Sequence, residues 1–271
     1  MDSLPTAESF AGIAWRGRPV RIEHAWIARE RGDRPAMVFL HEGLGSRSMW
    51  RDFPERLCAA SDARGLVYSR PGYGRSSRPA GDGPREPDYL HRQAFEVLPA
   101  FLEAAGIGAE GTPPWLFGHS DGGTIALLHA ARFPERTAGI VVVAPHLFVE
   151  DVTLAGVERA RAAYPASRVR SRLARHHDDP DWVFRSWTDI WLDPRFRGWN
   201  IEREIAAIRC PVLAVQGADD EYGTMEQVRA IRRSVPHAEL LELEGAGHSP
   251  HRDRPDALVA AAAAFIARHR K

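Results

Sequence analysis

Gly118-His119-Ser120-Asp121-Gly122-Gly123 decides how this chain is read. An apolar run, Trp115-Leu116-Phe117, leads into it, and Thr124-Ile125-Ala126-Leu127-Leu128-His129-Ala130 behind it reads as a helix. G-x-S-x-G alone is common by chance. Between a strand and a helix it describes a sharp turn that lifts a serine hydroxyl clear of the backbone. Gly118 and Gly122 have no side chains to collide as the chain reverses. A helix starting behind Ser120 aims its N-terminal N–H groups and positive dipole end at any oxyanion formed there. Ser120 is therefore a candidate nucleophile.

Short β-like runs alternate with helical ones on both sides of this turn. Val20 to Ile27, Ala36-Met37-Val38-Phe39-Leu40 and Gly65-Leu66-Val67-Tyr68-Ser69 read as strands before it. Helices are predicted around Met49 to Ala60 and over Tyr89 to Ala105. Residues 77 to 88, rich in Pro, Gly and charge, read as a surface loop. After the turn, Gly139 to Ala144, Pro211 to Gly217 and Glu239 to Leu243 read as strands, and Thr224 to Ser234 and Pro255 to His269 as helices. Parallel-type strands separated by helices specify an α/β fold with a mostly parallel, doubly covered sheet.

The rhythm breaks over residues 146–203, where the strand signal vanishes and aromatic residues gather. This reads as an inserted helical lid between core segments 1–145 and 204–271. Trp187 and Trp191 are spaced i, i+4 and share a helix face. Apolar stripes at helical spacing usually pack on a core. As a set, some of these aromatics are expected to line an apolar pocket, and exposed ones would equally suit a homodimer interface.

Composition narrows the options. The chain has 271 residues, 36 basic and 36 acidic, with a formal net charge of zero. That balance argues against a broad nucleic-acid or anionic-membrane surface. Met1 to Phe10 lacks the pattern of a signal peptide, and no apolar run spans a bilayer, so a cytoplasmic location is the expectation. Cys58 and Cys210 lie in apolar surroundings and read as packed thiols rather than a disulfide framework. His176-His177-Asp178-Asp179 invites a metal reading, but consecutive polar residues do not readily face one ion. It is read as a solvated loop, with no metal expected.

A serine nucleophile needs a base, and a carboxylate to orient that base. Gly217-Ala218-Asp219-Asp220-Glu221 follows one predicted strand, and Gly245-Ala246-Gly247-His248-Ser249-Pro250 follows the last. Catalytic groups in such sheets gather at the C-terminal ends of strands. The order Ser, Asp, His is the one this architecture uses.

Five segments carry a resemblance over essentially the whole length: LHEGLGS (40–46), YSRPGYGRS (68–76), GHSDGG (118–123), QGADD (216–220) and GAGHSP (245–250). The chain resembles the α/β-hydrolase fold superfamily, among its serine hydrolases with a helical lid. The resemblance implies Ser120 as nucleophile, His248 as general acid/base, and no cofactor. For the carboxylate it favours Asp220, with Asp219 next and Glu221 last. One oxyanion donor should be the N–H of Asp121. The second should come from His41-Glu42-Gly43-Leu44-Gly45, where many relatives have Gly directly after His; here Glu42 intervenes, leaving Gly43 or Leu44 as donor. Glu42 either faces the pocket, disfavouring anionic substrate groups, or caps backbone or pairs with an arginine. His146 faces the pocket or packs at the lid hinge. A serine nucleophile argues against relatives that use aspartate, the haloalkane dehalogenases and epoxide hydrolases.

The leading expectation is hydrolysis of a small carboxylic ester or lactone. A second is C–C bond hydrolysis of a vinylogous diketone acid, as in the meta-cleavage product hydrolases. A third, from another class, is a small-molecule receptor with slow turnover.

Overall fold

The computed structural model describes residues 9–78, 84–108 and 112–270. The readings of Met1–Phe10 and of the 77–88 loop fall partly outside these residues.

Eight strands form one sheet in the order β1-β2-β4-β3-β5-β6-β7-β8. β1 (Ser9–Trp15) and β2 (Arg18–Ile27) make a hairpin, and β2 pairs antiparallel with β4 (Arg64–Tyr68). Its two-residue turn, Arg16-Gly17, has both residues at positive φ, the twist that matches a right-handed hairpin. β3 (Ala36–Leu40), β4, β5 (Trp115–His119), β6 (Gly139–Val143), β7 (Val212–Gly217) and β8 (Glu239–Leu243) are all parallel. β1 has no counterpart in the sequence reading. Its run Phe10-Ala11-Gly12-Ile13 is short of large residues and only half-buried, so it carries little strand signal.

The central strands are buried on both faces, which is why they read as unbroken apolar runs. Alternate residues serve alternate cores. Met37, Phe39, Phe117 and Val141 pack with α1 (Phe53–Ala60) and α11 (Pro255–His269) on one face. Val38, Leu40, Leu116 and Val142 pack on the other. That second face is covered by the 89–104 helical stretch, by α4 (Asp121–Arg132) and by α9 (Glu226–Ser234).

Two predicted helices are interrupted. The Met49–Ala60 helix is a 3₁₀ turn over Arg47–Trp50 followed by α1, separated at Arg51, whose φ is 56°. The Tyr89–Ala105 helix is α2 (Tyr89–Arg92), a π turn over Gln93–Val97 and α3 (Leu98–Ala104). Pro99 has no N–H to donate into the preceding turn, and a change of hydrogen-bond register accommodates it.

Between β6 and β7 the chain is helical: α5 (Asp151–Ala163), α6 (Val169–Leu173), α7 (Pro180–Trp191) and α8 (Glu202–Ile205). α7 buries Phe184, Trp187 and Trp191, and Phe196 is buried beyond it. These four aromatics face inward. α10 (Pro250–Asp253) precedes α11. Both cysteines are free and buried, and burial pushes each thiol up to about 12.

Candidate active site

Ser120 sits at the β5–α4 junction with φ 53° and ψ −120°. For a non-glycine residue this is strained backbone, worth about 1–3 kcal/mol, held by its surroundings. Ser120 N–H donates to the Val143 carbonyl at 2.9 Å. A Cβ on Gly118 would lie 2.3 Å from the Gly122 carbonyl oxygen, and one on Gly122 would lie 2.0 Å from that of Leu40. Both positions therefore require glycine.

Asp220 lies just past β7, and His248 in the loop after β8. His248 Nε2 is 3.0 Å from Ser120 Oγ, and its Nδ1 is 2.9 Å from both oxygens of Asp220. An Nδ1–H donated to the carboxylate leaves Nε2 free to accept from the serine hydroxyl. Asp220 also accepts from the N–H groups of Tyr222 and Gly223 and from Gln216 Nε2. Of the three acidic candidates it alone reaches the imidazole. Glu221 instead accepts from the His248 backbone N–H at 3.0 Å. Asp219 is exposed.

Burial acts to lower the His248 pKa, but the Asp220 hydrogen bond and charge outweigh it, so the net shift is upward. Burial acts to raise Asp220, and the His248 contact and the Tyr222 N–H bring it below its ordinary value. His251 is buried against Trp50, Phe53 and His119. His119 itself spans the two loops: its Nε2 donates to the His248 carbonyl at 2.7 Å.

The loop after β3 is the second half of the site. Glu42 O accepts from Gly45 N–H at 3.1 Å, closing a turn over Glu42–Gly45. The same oxygen accepts from His41 Nδ1 and from the Arg70 guanidinium, both at 2.8 Å. Tyr73 O–H donates to Gly43 O at 3.0 Å. The N–H groups of Gly43 and Leu44 have no acceptor among the described residues. The N–H of Asp121, first in α4, has no intrahelical acceptor either. Asp121 is anchored by a fully buried ion pair with Arg70, at 3.2 Å, and by Tyr89 O–H.

A cavity of about 490 Å³ opens onto Ser120 and His248. Gly43, Leu44, His146, Trp187 and Trp191 line it, together with Val157, Val169 and Leu173 from the inserted segment. His146 packs on Trp191 and beside His248. Burial first, then the His248 charge, pushes it down to about 3. Glu42 also lines the cavity, and its carboxylate lies 3.6 Å from both His119 and Arg252. Burial acts to raise its pKa, yet His119 and Arg252 hold it well below the usual carboxylate range. Arg172 and Arg252 line the same cavity.

One reading is corrected. His177 is not in a solvated loop: it is buried, with both ring nitrogens bonded. Its neighbours in sequence are polar, and only the packing of the inserted segment onto the core turns it inward. Arg70, Tyr73 and His119 were within quoted segments but had no assigned role. The signal available for Arg70 was an arginine placed between an apolar strand run and a glycine-rich turn.

The family model described as "Alpha/beta hydrolase family" matches residues 37–262, and the chain belongs to that family. A Mus musculus protein named "sn-1-specific diacylglycerol lipase ABHD11" is 23% identical over 263 residues, covering 86% of this chain and 81% of that protein. The enol-lactonase from Burkholderia xenovorans LB400 superposes with a TM-score of 0.73 at 19% identity, covering 94% of this chain and 99% of that one. A thermophilic esterase from Thermogutta terrifontis also gives a TM-score of 0.73, at 16% identity over 98% of this chain and 100% of that one. Among the described residues no helix is long and apolar enough to cross a membrane.

Proposed function

We propose that this hydrolase cleaves a small carboxylic ester or lactone through an acyl-enzyme on Ser120. The supporting observation is the hydrogen-bonded line Ser120–His248–Asp220, 3.0 and 2.9 Å, opening into a largely apolar cavity. Its volume of about 490 Å³ suits a compact substrate. The names of the lipase, lactonase and esterase relatives point the same way.

Ser120 Oγ attacks the carbonyl carbon as its proton passes to His248 Nε2. Asp220 keeps the imidazole in the required tautomer and stabilises the imidazolium. The N–H of Asp121 and one N–H of the Gly43–Leu44 pair hold the oxyanion. His248 then protonates the leaving alkoxide, which departs as the alcohol. Water, deprotonated by His248, attacks the acyl-enzyme and releases the acid and Ser120. The inserted helical segment acts as a lid that excludes bulk water.

The test is hydrolysis of p-nitrophenyl esters of increasing acyl length, with fluorophosphonate labelling and the Ser120→Ala protein alongside. The expected result is turnover with a chain-length optimum, lost with labelling in Ser120→Ala. Residual turnover within tenfold of wild type overturns the assignment.

Arg172 and Arg252 in the cavity favour one second reading, C–C hydrolysis of a diketone acid whose carboxylate they would bind. Faster consumption of such an acid than of any p-nitrophenyl ester would establish it instead.

A further inference from the structure

The turn Glu42–Gly45 is held by its carbonyls. A peptide is planar, so fixing a C=O fixes the N–H on the other side of the same bond. Arg70 and His41 on Glu42 O set the Gly43 N–H, and Tyr73 on Gly43 O sets the Leu44 N–H. The third carbonyl, Leu44 O, shares its peptide with the Gly45 N–H that closes the turn. Its partner is His177 Nε2 at 3.0 Å, from a residue 133 positions away in the inserted segment.

The His177 ring is fixed at both nitrogens. Gly74 N–H donates to Nδ1 at 2.9 Å, so the proton sits on Nε2 and points at Leu44. Asp178 N–H returns a bond to Gly74 O at 3.0 Å, and Ser48 Oγ meets His176 Nδ1 at 2.8 Å. Trp187 closes the other side, since a Cβ on Gly43 would lie 2.5 Å from its indole. Burial pushes His177 down to about 4, in keeping with a neutral ring.

We propose that His177 is a positioning residue for the oxyanion-binding turn, through which the inserted helical segment sets the aim of the Gly43 and Leu44 N–H groups. This rests on the hydrolase reading above. Those N–H groups act on charge that develops in the transition state, so their misalignment lowers kcat rather than raising KM.

The experiment compares His177→Ala, His177→Gln and His177→Asn on the best p-nitrophenyl ester and on the matching trifluoromethyl ketone. Glutamine places an N–H where Nε2 was and keeps the bond to Leu44. Asparagine places an oxygen where Nδ1 was and keeps only the bond from Gly74. The expected result is a fall of about 10- to 100-fold in kcat for Ala and Asn with KM little changed, a parallel loss of ketone affinity, and rescue by Gln. Ser48→Ala, which loosens the same loop without touching Leu44, should leave kcat within twofold. If the alanine protein does not fold, the Gln and Asn proteins carry the test. Three variants within threefold of wild type, a loss confined to KM, or rescue by Asn but not Gln overturns the proposal. Wild-type protein that fluorophosphonate does not label overturns the hydrolase reading and this proposal with it. Labelled wild type with an unaffected His177→Ala overturns this proposal alone.

Discussion

The two sides of the site are assembled differently. On the proposed acid–base side, Ser120, Asp220 and His248 stand on short loops at the ends of β5, β7 and β8, and each loop is a compact sequence motif. On the proposed oxyanion side, the Glu42–Gly45 turn is shaped by His41, Arg70, Tyr73 and His177, three of them from distant loops. The sheet brings the first group together almost by itself, because parallel strands in register place their C-terminal loops side by side. The second group depends on side chains that reach across from other loops and from the inserted segment. Chemistry on the acid–base side should therefore answer to single side chains, and the oxyanion side to a shared network.

Asp220→Asn gives the largest expected effect. It should lower kcat about 10⁴-fold while the protein stays folded, because the amide favours the wrong imidazole tautomer. Steady-state kinetics with circular dichroism check this. A loss under tenfold would mean that the acid–base side is no more dependent on one side chain than the other side is.

Asp121→Ala should act on stability first. It strands the Arg70 guanidinium, which is only 1% exposed, without its carboxylate. Breaking a buried pair in this way costs about 3–5 kcal/mol, readable as a lower urea midpoint. A change below about 1 kcal/mol would show that the network does not depend on this pair.

Tyr73→Phe removes one donor from Gly43 O. It should cost about 1 kcal/mol in the transition state, or roughly fivefold in kcat, with KM unchanged. A KM effect alone would place Tyr73 with the substrate rather than with the turn.

The pH dependence sharpens the contrast by its direction. His248 must be neutral to accept the serine proton, and Asp220 lifts its pKa above the ordinary 6.5. Activity should fall as pH drops through that raised value, so the acidic limb of kcat/KM should have its midpoint above 6.5. His177, held neutral with a pKa of about 4, should not contribute to that limb. A midpoint below 6.5 would contradict the Asp220–His248 coupling.

Much of the fold could be read along the chain. Seven of the eight strands were legible as strands, the central ones from runs such as Ile140-Val141-Val142-Val143, buried on both faces and therefore apolar throughout. β1 escaped because an edge strand with Ala11 and Gly12 has little apolar contrast. The helix breaks at Arg51 and at the π turn before Pro99 are backbone adjustments to packing, which periodicity does not report. At the site, Ser120, His248 and Asp220 were candidates from motif and chain order. His119, Arg70, Tyr73 and His177 were not, since the partners that give them meaning lie between 28 and 133 residues away.

The amino-acid sequence by itself therefore determined the sheet, the chain order of the candidate triad and the glycines that let Ser120 stand on its turn. These follow from local requirements: apolar runs for doubly buried strands, and residues without side chains where backbones touch. Only the tertiary structure decided which acid meets His248, that Glu42 both lines the cavity and pairs with Arg252, and that His177 turns inward onto Leu44. Each of those is a choice among polar groups, and a polar group's role is set by which partner replaces water when it is buried.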